Sequence, residues 1–302
     1  MTSDVKISFL DELTNRLGKL LRISNSLSLY KSINGDIRVY IRYSKIHLGE
    51  RTWYGLRNID LYELEGHASL ICFLWDDQAE PLLVPYSEYE DVFQSLKPAD
   101  DGQYKVQVII KEDGTELYVA RAGRFNVEGY FGWGQLEKII DITGSSKLPD
   151  LSHSQIQTLL GSIGAIKDFE IWIPPIDRTK LDWIITRQFT CKDTLPFGYE
   201  HIENILHEID VIWLQRGAND IRALFEIEHS TPIYSGLLRF NDILLSTPNI
   251  KPRFSIVANE ERRSHFVRQL NRPTFHESGL REVCTFFEYG DVYNWHQRIL
   301  GG

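Results

Sequence analysis

The sequence contains no apolar run approaching the roughly 18–20 residues needed to span a bilayer. That excludes a helical membrane anchor among these residues. Cysteine is scarce: Cys72, Cys191 and Cys284 lie far apart and form no CxxC pair. Neither a disulfide framework nor a zinc site is expected, and each thiol reads as a small core residue in a reducing cytoplasm. There is no GxxxxGK[ST], no GxGxxG after a strand, no HExxH and no GxSxG, so nucleotide, zincin and serine-hydrolase chemistry lack their signatures. The first twenty-one residues mix charges of both signs and lack the basic start and apolar run of a signal peptide. Positive charge is also short: Lys and Arg total 33 against 42 Asp and Glu, a net charge of −9. General coating of nucleic acid is therefore disfavoured, while a local basic cleft remains compatible with an acidic whole.

What is present is ordinary globular material. The 302 residues are 42% hydrophobic, enough for a sizeable core, and the length suggests two domains. Apolar residues at helical spacing over 7–25 predict an N-terminal helix, placed within residues 1–32. Alternating or apolar short runs at 36–43, 69–75, 81–86, 104–110 and 116–121 predict strands of a mostly-β domain over 33–145. Ser87 and Glu90 have capping-box spacing for a short helix at 87–96, and Asp113-Gly114 suits a hairpin turn. The polar stretch 143–154 reads as a linker. Over 150–302 the pattern becomes α/β (α+β). Helices are expected at 154–166, 199–208, 236–245 and 261–270, and strands at 170–175, 209–214, 223–229, 253–258 and 283–289.

The strand at 223–229 reads ALFEIEH. Side chains alternate along a strand, so Leu224, Glu226, Glu228 and Ser230 share one face, and Phe225, Ile227 and His229 the other. The preceding strand, IDVIWL at 209–214, starts with Asp210 beside a run that is apolar on both faces. The loop at 215–222, with Gly217 and Asn219, reads as a hairpin turn that would bring Asp210 near Glu226 and Glu228. Three semi-buried carboxylates repel and resist ionisation. Either a divalent cation neutralises them or one stays protonated. Hard oxygen donors suit Mg²⁺, with Mn²⁺ as the alternative, and such an ion can polarise a phosphoryl oxygen and acidify a bound water. The bland alternative is that acids alternating with apolar residues mark the solvated face of a sheet.

Asp210 followed sixteen residues later by Glu226-Ile227-Glu228 on the next strand resembles the PD-(D/E)XK nuclease superfamily, in the variant with Glu at the usual Lys position. The stretches 169–180 and 225–244 also resemble bacterial restriction-like proteins. The resemblance implies a restriction-endonuclease-like C-terminal domain. It implies Asp210 and Glu226 as metal ligands, the carbonyl of Ile227 assisting, and Glu228 orienting or activating the attacking water. It also implies an added acid from the helix before the first strand, for which Glu203 is the candidate. Two departures are Ile209 where Pro is usual before the acid, and the missing Lys.

Two basic stretches are candidate DNA contacts. One is 41–57, with Arg42, Lys45, Arg51, Trp53, Tyr54 and Arg57, where cations and aromatics interleave; it reads also as a surface loop with its aromatics tucked into the core. The other is 251–273, with Lys251, Arg262, Arg263 and Arg268, which reads equally as a solvated helix face. His229 reads as a structural histidine, and Ser230 and Thr231 as caps. Together these imply a Mg²⁺-dependent endonuclease of the type II restriction kind acting on double-stranded DNA. A homodimer and a cognate DNA methyltransferase would be the expected partners. The competing expectation is a non-catalytic module, binding nucleic acid or protein, with a structural acidic cluster; RNA or modified DNA is a third substrate class.

Overall fold

The computed structural model describes residues 4–301 apart from 24–25, 34–35, 48–49, 112–113, 144–148, 219, 230–231 and 249–251. Asp113, Asn219, Ser230, Thr231, Lys251 and the middle of the 143–154 linker therefore lie outside the described residues. The chain divides into two compact units, with the boundary between Ser146 and Lys147. Each is mixed α/β. No helix among the described residues is long and apolar enough to cross a membrane.

The first unit runs α1 (Asp4–Leu17), β1 (Leu20–Arg22), β2 (Leu29–Ser32), β3 (Ile37–Tyr43), β4 (Arg51–Arg57), α2 (Asn58–Leu64), β5 (Ala68–Leu74), β6 (Leu82–Pro85), α3 (Glu90–Gln94), β7 (Gln103–Lys111), β8 (Gly114–Val119), β9 (Gly123–Asn126) and α4 (Gly134–Thr143). One sheet has the order β1-β2-β3-β5-β6, antiparallel except for β3 against β5. The other is the antiparallel β4-β7-β8-β9. Phe9 and Leu13 of α1 and Leu136 of α4 cover one face of the first sheet, over Val39, Ile41, Leu70 and Cys72. Its other face, with Tyr40, Ile71 and Phe73, packs on Tyr54, Leu56, Val106, Val108 and Leu117 of the second.

Three sequence expectations change here. The first helix stops at Leu17 rather than 25, because Gly18 takes a left-handed conformation (φ 74°) and Leu20–Arg22 pair with β2. Ser87 caps nothing: a 3₁₀ turn covers Tyr86–Glu88 and Tyr89 precedes α3 without a side-chain cap. The basic-aromatic stretch contains a strand, β4, whose period-two alternation buries Thr52, Tyr54 and Leu56 and exposes Arg51 and Trp53.

The second unit runs α5 (His153–Ile166), β10 (Phe169–Trp172), α6 (Pro175–Arg178), α7 (Glu203–Leu206), β11 (Val211–Gln215), β12 (Ile221–Ile227), α8 (Ile233–Ser246), β13 (Arg253–Ala258), α9 (Arg263–Leu270), α10 (Pro273–Glu277), β14 (Cys284–Glu288) and α11 (Tyr289–Gly301). Its sheet has the order β10-β11-β12-β13-β14. The first three strands form an antiparallel meander, and β12, β13 and β14 run parallel. The β11–β12 pairing carries a bulge between Trp213 and Leu214, so Trp213 faces Ala223 while Leu214 faces Ile221. The strands are buried on both faces, as parallel ones must be when helices cover both sides.

Helix α5 starts at a complete capping box. Ser152 accepts from the Gln155 backbone and the Gln155 side chain returns the bond. Its small face fits tightly on the sheet, since a Cβ on Gly164 would lie 2.5 Å from the Trp213 Nε1. That indole donates to the Leu160 carbonyl at 3.0 Å. With α11, α5 covers Val211, Trp213, Phe225 and Phe287. On the opposite face α8 packs its Phe240 on Phe254 of β13.

Candidate active site

The acids sit where β12 ends. Alternation sends Phe225 and Ile227 into the core under α5, which turns Glu226 to the α8 side of the sheet. Glu226 and Glu228 are each only 2% exposed. The pairing of Ile212 with Leu224 places residue 210 across from residue 226, and Asp210 folds onto the strand end. Its Oδ2 accepts the Ile227 N–H at 2.7 Å. Its backbone carbonyl accepts from the Gln157 side chain of α5 at 2.9 Å. Its Oδ1 faces His153 Nε2 at 3.4 Å, because the capping box sets His153 in the first turn of α5. Glu228 is fixed through its backbone, which donates to Val257 of β13 at 2.8 Å and accepts from Arg262 Nη1 at 2.6 Å.

Helix α8 completes the cluster. Arg239 forks onto Glu226, Nε to Oε1 at 2.6 Å and Nη2 to Oε2 at 2.9 Å, while its Nη1 lies 3.5 Å from Glu208. Gly236, one turn earlier, makes room: a Cβ there would stand 2.8 Å from Glu228 Oε1 and 3.1 Å from Ile256 Cδ1. Burial pushes the Glu226 carboxyl up to about 8; Arg239 pulls it down, and the Asp210 and Glu228 charges push it up further. The hydrogen bond and charge of Asp210 hold the His153 imidazole above its ordinary value, against burial. Burial pushes the Tyr289 hydroxyl up to about 12, with Arg262 acting the other way and Asp210 and Glu228 adding to it.

Burying Asp210, Glu226 and Glu228 beside one another makes their joint ionisation costly, even with Arg239 on Glu226 and the half-exposed His153 on Asp210. The donor set is all hard oxygen. Both facts fit a divalent cation such as Mg²⁺. They disfavour the reading as a solvated sheet face, which would leave Glu226 and Glu228 exposed.

The structure brings Asp210, Glu226, Ile227 and Glu228 together. It does not bring Glu203 to them: that acid is exposed on α7 and faces His207 at 3.5 Å. The helix that reaches Asp210 is α5, which approaches with His153 and Gln157. Arg262 is beside the acids through Glu228, whereas Arg263 holds Glu288 and lies over the Phe286 ring, and Arg268 is exposed next to His265. His229 meets the Tyr289 hydroxyl at 3.4 Å.

In the first unit Lys45, Arg51 and Trp53 are exposed, Trp53 by 52%. Arg42 is half-buried over the Tyr40 ring, and Arg57 forks onto Asp60. Tyr54 is the correction in this group. It points inward on β4, 4% exposed, and donates its hydroxyl to the Leu74 carbonyl at 3.0 Å, so it cannot contact a base. Across the outer face of the second sheet, Trp53 is in register with Gln107, Gln107 with Tyr118, and Tyr118 with Arg124.

Sequence reasoning missed Arg239, His153, Gln157 and Gly236. The available signals were a lone cation in the apolar run Leu237-Leu238-Arg239-Phe240 and the Ser152–Gln155 capping box.

Residues 140–298, a little over half of the chain, match the family described as the type II restriction enzyme NmeDI C-terminal domain. The type II restriction enzyme NmeDI of Neisseria meningitidis serogroup C is 32% identical over 133 residues, covering 41% of this chain and 37% of that protein. The chain thus spans well under half the length of that relative. No solved structure matches.

Proposed function

Because the chain belongs to the family of the type II restriction enzyme NmeDI C-terminal domain, we propose that it is a Mg²⁺-dependent endonuclease that hydrolyses phosphodiester bonds in double-stranded DNA. The observation that carries this reading is the buried meeting of Asp210, Glu226 and Glu228 at one strand end, an all-oxygen donor set whose joint ionisation burial opposes. Asp210 and Glu226 would hold the cation with the Ile227 carbonyl. When bound, a divalent ion supplies Lewis acidity toward a phosphoryl oxygen and a more acidic water. Glu228 orients the attacking water and takes its proton. Arg262, anchored on the Glu228 carbonyl, carries positive charge to the edge of the same cluster, where a phosphate would arrive.

The first unit would bind the duplex through Lys45, Arg51 and Trp53, with Arg42 and Arg57 holding the surface behind them. A basic-aromatic face on a chain of net charge −9 confines DNA to that place. Cutting both strands favours a two-fold dimer, with a cognate methyltransferase protecting host DNA in the cytoplasm.

The test is incubation of the purified protein with unmethylated phage DNA in Mg²⁺ and in EDTA, beside Asp210→Asn and Glu226→Gln. Discrete fragments should need Mg²⁺ and fall by at least about 100-fold in both variants, the upper end of what even outer-shell substitutions cost. Cleavage that survives in both folded variants would refute the assignment. DNA left uncut in Mg²⁺, with both variants binding it as well as the parent does, would support the non-catalytic binding module. In that module the Arg239–Glu226 pair is structural.

A further inference from the structure

Two short bonds tie a deeply buried acid of the cluster to a helix that the acidic motif does not include. Arg239 Nε and Nη2 each meet one oxygen of Glu226, at 2.6 and 2.9 Å. A fork of this kind fixes the plane and rotation of the carboxylate as well as its charge. A carboxylate has about four lone-pair sites, and the fork occupies one on each oxygen. The remaining sites are held in a fixed direction at the end of β12, where Asp210 caps the Ile227 N–H. Gly236 lets α8 approach closely enough for Arg239 to reach the acid, and Glu208 lies 3.5 Å from its third nitrogen.

We propose that Arg239 is the positioning residue of this site: its guanidinium clamps both oxygens of Glu226 so that the carboxylate presents its remaining lone pairs to a divalent cation shared with Asp210. This rests on the nuclease reading above. A lysine could supply the charge but not the clamp, because an ammonium is a point charge and the guanidinium a planar fork. Cation affinity is therefore set partly from α8.

The experiment is a calorimetric titration of the full chain with Ca²⁺ alone, at mildly alkaline pH, for the parent, Arg239→Lys, Arg239→Met and Asp210→Asn. Thermal melts and the Mg²⁺ dependence of cleavage are measured on the same preparations. Arg239→Lys should weaken Ca²⁺ binding about 10–100-fold, the range for groups that orient metal ligands, and Arg239→Met at least as much. The Mg²⁺ midpoint for cleavage should rise by a similar factor, while the rate at saturating Mg²⁺ falls less. Arg239→Lys keeps the charge and carries the test if Arg239→Met fails to fold. Unchanged or tighter Ca²⁺ binding in folded Arg239→Lys overturns the proposal. Binding that is lost in Asp210→Asn but indifferent to Arg239 defeats the positioning role alone. If the parent binds no Ca²⁺ and DNA cleavage survives in Asp210→Asn, the nuclease reading of this site fails and the proposal with it.

Discussion

At the scale of single residues, two titratable groups make the metal-free protein sensitive to alkali. The Glu226 carboxyl is raised from 4.5 to about 8, so the folded chain keeps a proton that the unfolded chain releases. Its contribution to stability is complete below about 4.5 and is lost as pH rises toward 8. His153 is raised above 6.5 by Asp210, and the stability it adds is complete below that value and fades as pH climbs through the folded one. Both effects have the same sign. In EDTA, Tm should therefore fall between pH 5 and pH 8 more steeply for the parent than for Glu226→Gln, as melts at the two pH values would show. A parent slope no steeper than that of Glu226→Gln would contradict it. For His153→Gln the loss of Tm relative to the parent should be larger on the acid side of 6.5 than well above it. An equal loss at both pH values would mean that His153 acts by packing rather than by charge.

At the scale of elements, α8 is the helix to disturb. Gly236→Ala gains about 1 kcal/mol in helix propensity, yet its Cβ would enter within 2.8 Å of Glu228 Oε1 and 3.1 Å of Ile256 Cδ1. Overpacking of that kind costs about 1–3 kcal/mol, so the net change is expected to be mildly destabilising, with cleavage reduced far more than stability. Chemical denaturation beside a cleavage assay separates the two, and an active Ala variant would show that Glu228 has room to spare. At the other end of the site, Ser152→Ala removes the α5 capping box and should cost about 1 kcal/mol. The face assignment of Glu226 and Glu228 was legible in the sequence because strand alternation is local and Phe225 and Ile227 fill the other side. Arg239 was not legible, since thirteen residues separate it from Glu226 and the angle at which α8 returns depends on Phe240 meeting Phe254 on β13. The same holds for His153, whose partner Asp210 lies beyond α5, β10, α6 and α7 in the chain. Tyr54 is ambiguous in the sequence for the opposite reason. The alternation from Arg51 to Arg57 is period two, but with cations at both ends it fits an exposed loop as well as a strand with one buried face.

At the scale of the whole molecule, the comparison covers the second unit and leaves the first to be explained by its own surface. With a net charge of −9, affinity for a duplex must come from a patch, and the exposed Trp53 in register with Gln107, Tyr118 and Arg124 is the most distinctive one described. Trp53→Ala should weaken binding of a DNA duplex in Ca²⁺ by about 1–3 kcal/mol if its ring stacks on a base, with Tm unchanged because the side chain is half exposed. Fluorescence anisotropy measures this directly, and parental affinity in the variant would move the duplex elsewhere. The bulge between Trp213 and Leu214 has a consequence of a different kind. It lies between the hairpin turn and the acids, and it absorbs one residue of register before the strand reaches Ala223. The register of the acids is thus set by the bulge, and a change in the length of the turn is expected to leave Glu226 on its side of the sheet. A peptide label inserted beside Gly217 should be carried by the protein as inert cargo.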